Sequence, residues 1–224
     1  MNKRTLLLAT AQIIAIFASL FASASVAPPG EWEEIHRDEL VTVYKKEIEG
    51  SDILAVKGVG TLDAPFAKVL SVVLDAPHRP QWMEQVEGVE VVRQISPTEC
   101  IAYWHLSPPW PIRDRDLLIR ETIEVDSANK RITLRMKSIE DPAFPPRADR
   151  IRAELFDASF VATPVDGGTK TAMIAESHAD PKGSIPKWVV NIYQKDMPTK
   201  SIRRMLARAN QADIAEHPLA RELQ

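Results

Sequence analysis

The sequence predicts an α+β fold in which a strongly curved antiparallel sheet wraps around a long C-terminal helix. Six segments rich in β-branched and aromatic residues follow one another from residue 89 to residue 179, separated by turn sequences such as DSAN at 126–129. Strands joined by such short turns must run antiparallel. A helical pattern covers about residues 185–212, and a curved sheet is an economical way to bury its apolar face.

A hairpin is predicted near the start of the sheet. Residues 40–48 and 53–62 are β-rich, and the EGSD sequence at 49–52 between them has the composition of a turn. Residues 32–38 are expected to form a short helix or an arm that leads into the sheet.

Helices are predicted on both sides of the six strands. Asp63 is expected to cap a helix in which Pro65 occupies the first turn and apolar residues recur at helical spacing over 66–73. A second short helix is expected to carry PQWM at 80–83. Pro198 should kink or split the long C-terminal helix, because proline cannot donate the helical hydrogen bond.

The N-terminus has the pattern of a secretory signal peptide. A short basic stretch, MNKR, precedes an uncharged apolar run, and Ala22 and Ala24 are small residues at the positions that a signal peptidase reads. We expect residues 1–24 to be removed, which leaves residues 25–224 as one domain in the periplasm or outside the cell. The alternative is an uncleaved membrane anchor formed by residues 5–22.

Composition excludes several classes of function. Of the 28 lysines and arginines, two lie in the predicted signal, so 26 basic residues oppose 31 acidic ones in the mature chain. Nucleic-acid-binding proteins concentrate basic residues on one face, so we expect no nucleic-acid partner. Cys100 is the single cysteine, which excludes an intrachain disulfide. The five histidines lack metal-ligand spacing, and no catalytic motif stands out, so we expect no metal, no cofactor and no enzymatic activity.

A carboxylate lies on the predicted inner face of one strand. Alternation over 117–125 places Glu121 on the same face as Leu117 and Ile119. A buried carboxylate without a partner is unfavourable, so Glu121 should be paired, protonated or hydrated within a cavity.

Four alternating charges, Arg113 to Asp116, open the same strand. They are interpreted as ion pairs that clamp this end of the strand onto the terminal helix or onto neighbouring strands, since exposed pairs alone add little stability. Contact with a ligand is the less favoured alternative. His105 is expected to be a surface residue rather than a general base.

Three motifs, in this order, resemble the START domain, the steroidogenic-acute-regulatory-related lipid-transfer family. The first is HRPQW at 78–82, ahead of the central strands, and the second is WPIRDRDLL at 110–118. The third is DPKGSIPKWVVN at 180–191, which leads into the last helix. The resemblance covers about residues 32–212 and identifies the chain as a bacterial, exported member of the family.

This resemblance implies a helix-grip fold with a hydrophobic tunnel between the sheet and the last helix. Members hold one lipid there, such as a sterol or a phospholipid, and are generally non-catalytic and metal-free. The implied partners are a lipid ligand and, transiently, a membrane surface that Phe144 could touch; the protein is expected to be a monomer. The candidate ligand-binding residues are Trp104, Leu106, Leu117, Ile119, Glu121, Leu134, Met136, Trp188 and Ile192. The alternative for each apolar residue is ordinary packed core.

Glu121 departs from the family's pattern. Several lipid-transfer members carry an arginine at the aligned position, where it meets the polar head of the ligand. An alignment shifted by one residue would place Arg120 there, but the alternation of the strand argues against it. Two other functions stay open: an aromatase or cyclase-like enzyme of the helix-grip superfamily with Glu121 as acid or base, and a ligand sensor without transfer activity.

Overall fold

The computed structural model of the chain describes residues 30–185 and 187–223, without the side chains of residues 187–195 and 222. The predicted signal peptide, residues 1–24, lies outside the described residues and stays a prediction.

One ten-stranded sheet dominates the described chain, and it is not closed into a barrel. Its strand order is β1-β2-β3-β10-β9-β7-β6-β5-β4, and all neighbours on this path are antiparallel, whereas β8 pairs in parallel with β6. The predicted α+β helix-grip class is confirmed. The strands are β1 (Glu33–Arg37), β2 (Val41–Lys46), β3 (Ala55–Leu62), β4 (Val86–Ser96), β5 (Glu99–Leu106), β6 (Arg115–Asp126), β7 (Arg131–Ser138), β8 (Ile151–Arg152), β9 (Glu154–Val165) and β10 (Lys170–Asp180).

The six strands predicted between residues 89 and 179 are β4 to β7, β9 and β10, each within about three residues of its predicted ends. The predicted hairpin is also present, with Thr42 of β2 opposite Val59 of β3. Of the short helix and the arm expected over residues 32–38, the helix is wrong: residues 33–37 form β1, because they pair along β2 and their backbone groups gain sheet hydrogen bonds. β8 was not predicted, since two residues are too short to show alternation.

Five helical segments accompany the sheet in the described residues. They are α1 (Phe66–Leu74), the 3₁₀ helix Ala76–Gln81, the 3₁₀ turn Asp166–Gly168 between β9 and β10, α2 (Lys187–Ala209) and the 3₁₀ helix Pro218–Leu223. Asp63 does not cap α1: Pro65 occupies the N-cap position and makes no side-chain hydrogen bond there. The predicted second short helix is the 3₁₀ helix Ala76–Gln81. Trp82, directly after it, donates a hydrogen bond to the carbonyl oxygen of Val72 at 3.2 Å.

The C-terminal half of α2 packs on the sheet and on α1. α2 runs through Pro198 without a break, so of the two expected effects of this proline the split is wrong and the kink stays a prediction. Ile202, Met205 and Ala209 are buried, and Ile202 approaches the sheet at Gly58, where a Cβ atom would lie 3.2 Å from its Cδ1. Arg203 forms an ion pair with Asp38 at 2.6 Å.

The buried apolar residues form two clusters on the sheet. The first joins α1 and the C-terminal half of α2 to β2, β3, β7, β9 and β10. The second lies mainly on β4, β5, β6 and β9, and it comprises Ala76, Val86, Val89, Ala102, Trp104, Leu117, Ile119, Ala153, Leu155 and Ala158. Within residues 30–185 and 187–223, no helix has the length and apolarity needed to cross a membrane.

Candidate functional site

Most of the predicted ligand-binding residues gather in the second cluster. Trp104, Leu117 and Ile119 belong to it, and Leu106 and Met136 pack against it. Leu134 lies on the same sheet but belongs to the first cluster, and Met136 packs against both clusters. The side chains of Trp188 and Ile192 lie outside the described residues, so the helix wall of the expected tunnel stays a prediction.

Glu121 occupies the inner face of β6, with only 4% of the residue exposed. Its cross-strand neighbours are Cys100 and Met136. Arg79, which is 2% exposed, donates to both carboxylate oxygens, from Nη1 to Oε1 at 2.5 Å and from Nη2 to Oε2 at 2.7 Å. The sequence allowed Glu121 to be paired, protonated or hydrated, and the structure shows it paired with Arg79.

Trp104 completes this arrangement. Its indole Nε1 donates to Oε1 of Glu121 at 3.1 Å, and the guanidinium carbon of Arg79 lies 4.9 Å from the centre of a Trp104 ring. The contact is a cation–π interaction, which is strongest away from water. We call Arg79, Trp104 and Glu121 the polar centre.

The local backbone explains why Arg79 points inward. Its Nε and Nη2 both donate to the carbonyl oxygen of Val73 at 3.4 Å, in the last turn of α1. Helix ends leave carbonyl groups without helical partners, so this contact satisfies an acceptor that would otherwise be buried alone. Arg79 lies within the 3₁₀ helix Ala76–Gln81, which follows α1 directly, and from there its side chain contacts β5 and β6.

The two-bond geometry of the Arg79–Glu121 pair offsets the cost of burying two charges. Two desolvated charges are tolerated only when they are close and their hydrogen-bonding groups are satisfied. The planar guanidinium of Arg79 matches the carboxylate in a two-bond arrangement that lysine could not form. Glu121 accepts three hydrogen bonds in total, which stabilises its position on an otherwise apolar face.

Strand alternation could not identify Arg79 as the partner of Glu121. The two residues are 42 positions apart, and Arg79 belongs to a 3₁₀ helix of six residues, which is too short to show a periodic pattern. The available signal was indirect: an interior carboxylate requires a cation, and an arginine stands in the HRPQW motif beside apolar residues.

The alternating charges at the start of β6 make structural contacts. Asp116 is fully buried and accepts hydrogen bonds from Arg152 at 2.7 and 3.3 Å and from the Tyr103 hydroxyl at 2.7 Å. Burial opposes ionisation of Asp116, but these bonds outweigh it and lower the pKa of the carboxyl group. Arg115 donates to the carbonyl oxygens of Pro181 and Lys182, both at 3.3 Å. The expected clamp therefore uses backbone carbonyls as well as an ion pair.

His105 is also accounted for by a structural contact. Its Nε2 lies 2.6 Å from Oδ2 of Asp114, and this hydrogen bond is the main reason that the pKa of Asp114 is lowered. In the part of the chain that the structure describes, no group of three or more His, Cys, Asp or Glu side chains is placed to hold a metal ion.

An open, curved antiparallel sheet against a long C-terminal helix is the arrangement of lipid-binding helix-grip domains. A model of the START domain family matches residues 24–213, so the chain belongs to the START domain family.

Named relatives agree with this assignment. The mouse phosphatidylcholine transfer protein is 27% identical over 165 residues, which cover 72% of this chain and 75% of that protein. A STAR-related lipid transfer protein fragment from Xanthomonas axonopodis is 28% identical, with a TM-score of 0.70 over 80% of this chain and 99% of that one. Human StAR-related lipid transfer protein 5 has a TM-score of 0.75 over 93% of this chain and 96% of that one; at 19% identity it supports the fold alone.

Proposed function

We propose that this chain binds one lipid molecule between the inner face of the sheet and α2, and that it carries the lipid between membranes. The observation that carries the proposal is the polar centre, which places hydrogen-bonding groups within an apolar inner face. The related mouse protein is named for phosphatidylcholine transfer, and the Xanthomonas protein for lipid transfer, which supports the same function here.

The inner face has the character that such a carrier needs. Each methylene group that leaves a bilayer for water costs about 0.8 kcal/mol, so a carrier must offer an apolar surface of its own. Trp104, Leu117 and Ile119 provide that surface on β5 and β6, together with Leu106 and Met136. Leu134, Trp188 and Ile192 stay proposed members of the binding wall, and Glu121 is proposed to lie near the polar head.

Membrane contact is proposed through Trp110. This side chain is 92% exposed in the loop between β5 and β6, although exposed tryptophans are uncommon. Indole rings partition favourably into the interface between membrane and water. Phe144, the contact expected from the sequence, is half-buried and its carbonyl oxygen accepts from Arg152, so Trp110 is the better candidate.

The experiment that tests lipid binding works whichever lipid is bound. Purified protein is analysed by native mass spectrometry, and its lipid content is extracted before and after incubation with mixed phospholipid vesicles. We expect a complex with one lipid per chain. Protein that stays empty in both measurements would refute the proposal. Movement of labelled lipid between two vesicle populations separates a carrier from a sensor, because a sensor binds without transfer.

The enzyme alternative receives no support from the geometry of Glu121. Both of its carboxylate oxygens are bound to Arg79, so proton transfer to a substrate would require breaking a buried ion pair. The mouse and Xanthomonas relatives are named as lipid-transfer proteins.

Export is also part of the proposal. The START match begins at residue 24, next to the predicted cleavage site, so the apolar N-terminal run lies almost wholly outside the matched domain. Intact mass of protein recovered from a bacterial periplasm would test it: loss of residues 1–24 is expected, and a full-length chain in the membrane fraction would favour the anchor.

A further inference from the structure

Trp110 lies at the tip of a short loop. Residues 107–114 connect β5 to β6, and the backbone N–H of Ile112 donates to the carbonyl oxygen of Pro109 at 3.1 Å. Trp110 and Pro111 therefore occupy the two central positions of a tight turn. Trp110 is 92% exposed, although contact with water is unfavourable for an apolar ring. An indole on a freely moving loop would turn to cover neighbouring apolar groups, so this exposure indicates that the loop is held in place.

One carboxylate closes the loop at its base. Oδ1 of Asp114 accepts a hydrogen bond from the Ser107 hydroxyl at 3.2 Å, and Oδ2 lies 2.6 Å from Nε2 of His105. Because the pKa of Asp114 is lowered, its carboxylate is ionised at neutral pH and can only accept, so Nε2 of His105 donates. The last residue of the loop is thus bonded to the first one and to the strand before it. We call Asp114, Ser107 and His105 the loop base.

The loop base is fixed to the neighbouring chain on both sides. The backbone N–H of Ser107 donates to the carbonyl oxygen of Gln85 at 2.8 Å, and the N–H of Ile151 donates to the carbonyl oxygen of Asp114 at 3.0 Å. Three of the six residues from 108 to 113 are prolines, and each proline ring fixes φ. The loop therefore has little conformational entropy to lose when it binds another surface.

We propose that Asp114 is a positioning residue for membrane binding: by closing the loop base it holds the indole of Trp110 away from the protein, ready to enter the interface of a phospholipid bilayer. Indole rings partition favourably into that interface. A closed loop binds without first being ordered, whereas an open loop would have to be ordered at the membrane surface. This inference rests on the membrane contact of Trp110 in the proposed function, and it adds the residues that determine that contact.

Vesicle binding tests the role of Asp114. Full-length mature protein is mixed with sucrose-loaded vesicles of dioleoylphosphatidylcholine, the vesicles are sedimented, and the partition coefficient is obtained from the bound fraction. This lipid is zwitterionic, so the loss of one protein charge has little direct effect. We expect Asp114→Ala to lower the partition coefficient on the order of fivefold or more, the factor that corresponds to ordering one backbone residue at the membrane.

A double-mutant cycle separates positioning of Trp110 from a general loss of structure. Trp110→Ser should lower the partition coefficient by itself, and adding Asp114→Ala to Trp110→Ser should lower it no further, because the loop base acts through the indole. Asp114→Asn keeps an oxygen that accepts from His105, so it should bind vesicles nearly as well as the wild type.

Asp126 provides the matched control. Its carboxylate closes the turn at the other end of β6, where it accepts from Asn129 at 3.1 and 2.8 Å, so Asp126→Ala should leave vesicle binding unchanged. His105→Phe keeps a ring on β5 but removes the donor to Asp114. It should lower vesicle binding as Asp114→Ala does, and it provides the same test if Asp114→Ala does not fold.

Each outcome decides whether the positioning role, or the membrane contact itself, stands. If Trp110→Ser lowers vesicle binding but folded Asp114→Ala or His105→Phe binds as the wild type does, the positioning role is overturned while membrane contact through Trp110 stands. Equal losses from Asp114→Ala with and without Trp110 would overturn the positioning role as well. Wild-type protein that does not bind vesicles, or unchanged binding by Trp110→Ser, would overturn both.

Discussion

Arg115 donates a hydrogen bond to the carbonyl oxygen of Lys182, which follows it by 67 positions. The bond ties the first residue of β6 to the segment that leads into α2, and a second bond to the carbonyl oxygen of Pro181 strengthens the connection. Arg115 is only 4% exposed, so these contacts are shielded from water. One guanidinium group thus ties the start of β6 to the segment between β10 and α2.

We predict that Arg115→Lys lowers the free energy of unfolding by about 1–3 kcal/mol, because lysine keeps the charge but cannot reach several carbonyl groups at once. Urea unfolding followed by circular dichroism would measure the change. Arg113→Lys is the control, since Arg113 is exposed and makes one such bond, to Ala148. Equal effects of the two substitutions would contradict the connection described for Arg115.

The buried ion pair gives a second prediction. Arg79→Met should destabilise the fold by about 3–5 kcal/mol, because it leaves the carboxylate of Glu121 buried without a counter-charge. The double variant Arg79→Met with Glu121→Met should recover much of that loss, since no uncompensated charge is left.

A surface pair provides the comparison. Arg135 and Glu124 are 54% and 49% exposed, so Arg135→Met should cost less than about 1 kcal/mol. Chemical denaturation of the wild type, Arg79→Met, the double variant and Arg135→Met measures these changes in the free energy of unfolding. A double variant that is less stable than Arg79→Met would show that the pair is not the main interaction of these side chains.

Trp110 gives a prediction about transfer. Since its side chain is 92% exposed, Trp110→Ser should leave the midpoint of thermal unfolding nearly unchanged. Transfer of fluorescent lipid between vesicles should slow several-fold, because the indole ring no longer contacts the membrane interface. Ile95→Ser, at an apolar residue of β4 that is 43% exposed, should transfer at the wild-type rate. Unchanged transfer by Trp110→Ser would remove this loop from the mechanism.

Asp38 makes stability depend on pH. The backbone N–H of Val41 is the main cause that lowers the pKa of Asp38 from 3.8 to about 2, and the N–H of Leu40 and Arg203 contribute. A lowered pKa means that the carboxylate stabilises the fold above about pH 4, and that this contribution is lost as the pH falls through about 2.

The matching experiment is urea unfolding of Asp38→Asn between pH 3 and pH 7. Near neutral pH the variant should be less stable by about 1 kcal/mol, a discounted value because the carboxylate is partly solvated. The difference should narrow below pH 4. Asp52→Asn, at an exposed residue of the β2–β3 turn, should show no such trend. If the stability difference between the wild type and Asp38→Asn grew toward low pH, the lowered pKa of Asp38 could not be its cause.

Sequence periodicity located most of the sheet but not the parts that depend on distant partners. β4 to β7, β9 and β10 were predictable because their alternation is long enough to read. Residues 33–37 have no such pattern and become a strand because β2 offers a pairing edge. At α1, Asp63 has a favourable capping side chain, but the helix begins after Pro65 instead.

Within the candidate site, alternation assigned faces correctly but could not assign partners. Glu121 was placed on the inner face from its strand alone, whereas Arg79 reaches it from a 3₁₀ helix. Leu134 and Ile119 share the inner face, yet they pack in different clusters, since alternation does not report position across the sheet. Alternation also puts Leu118 on the face of β6 opposite to that of Ile119, yet Leu118 is fully buried as well.

The irregular pairing of β4 has a consequence for behaviour in concentrated solution. β4 is an edge strand of the open sheet, and its register with β5 shifts at three places along its length. Each shift turns part of the outer row of N–H and C=O groups away from a straight line, and charged residues such as Glu90 and Arg93 stand between them. A second chain would find only short stretches to pair with, so this edge protects the protein from strand-by-strand aggregation even though Val91 and Ile95 are exposed there.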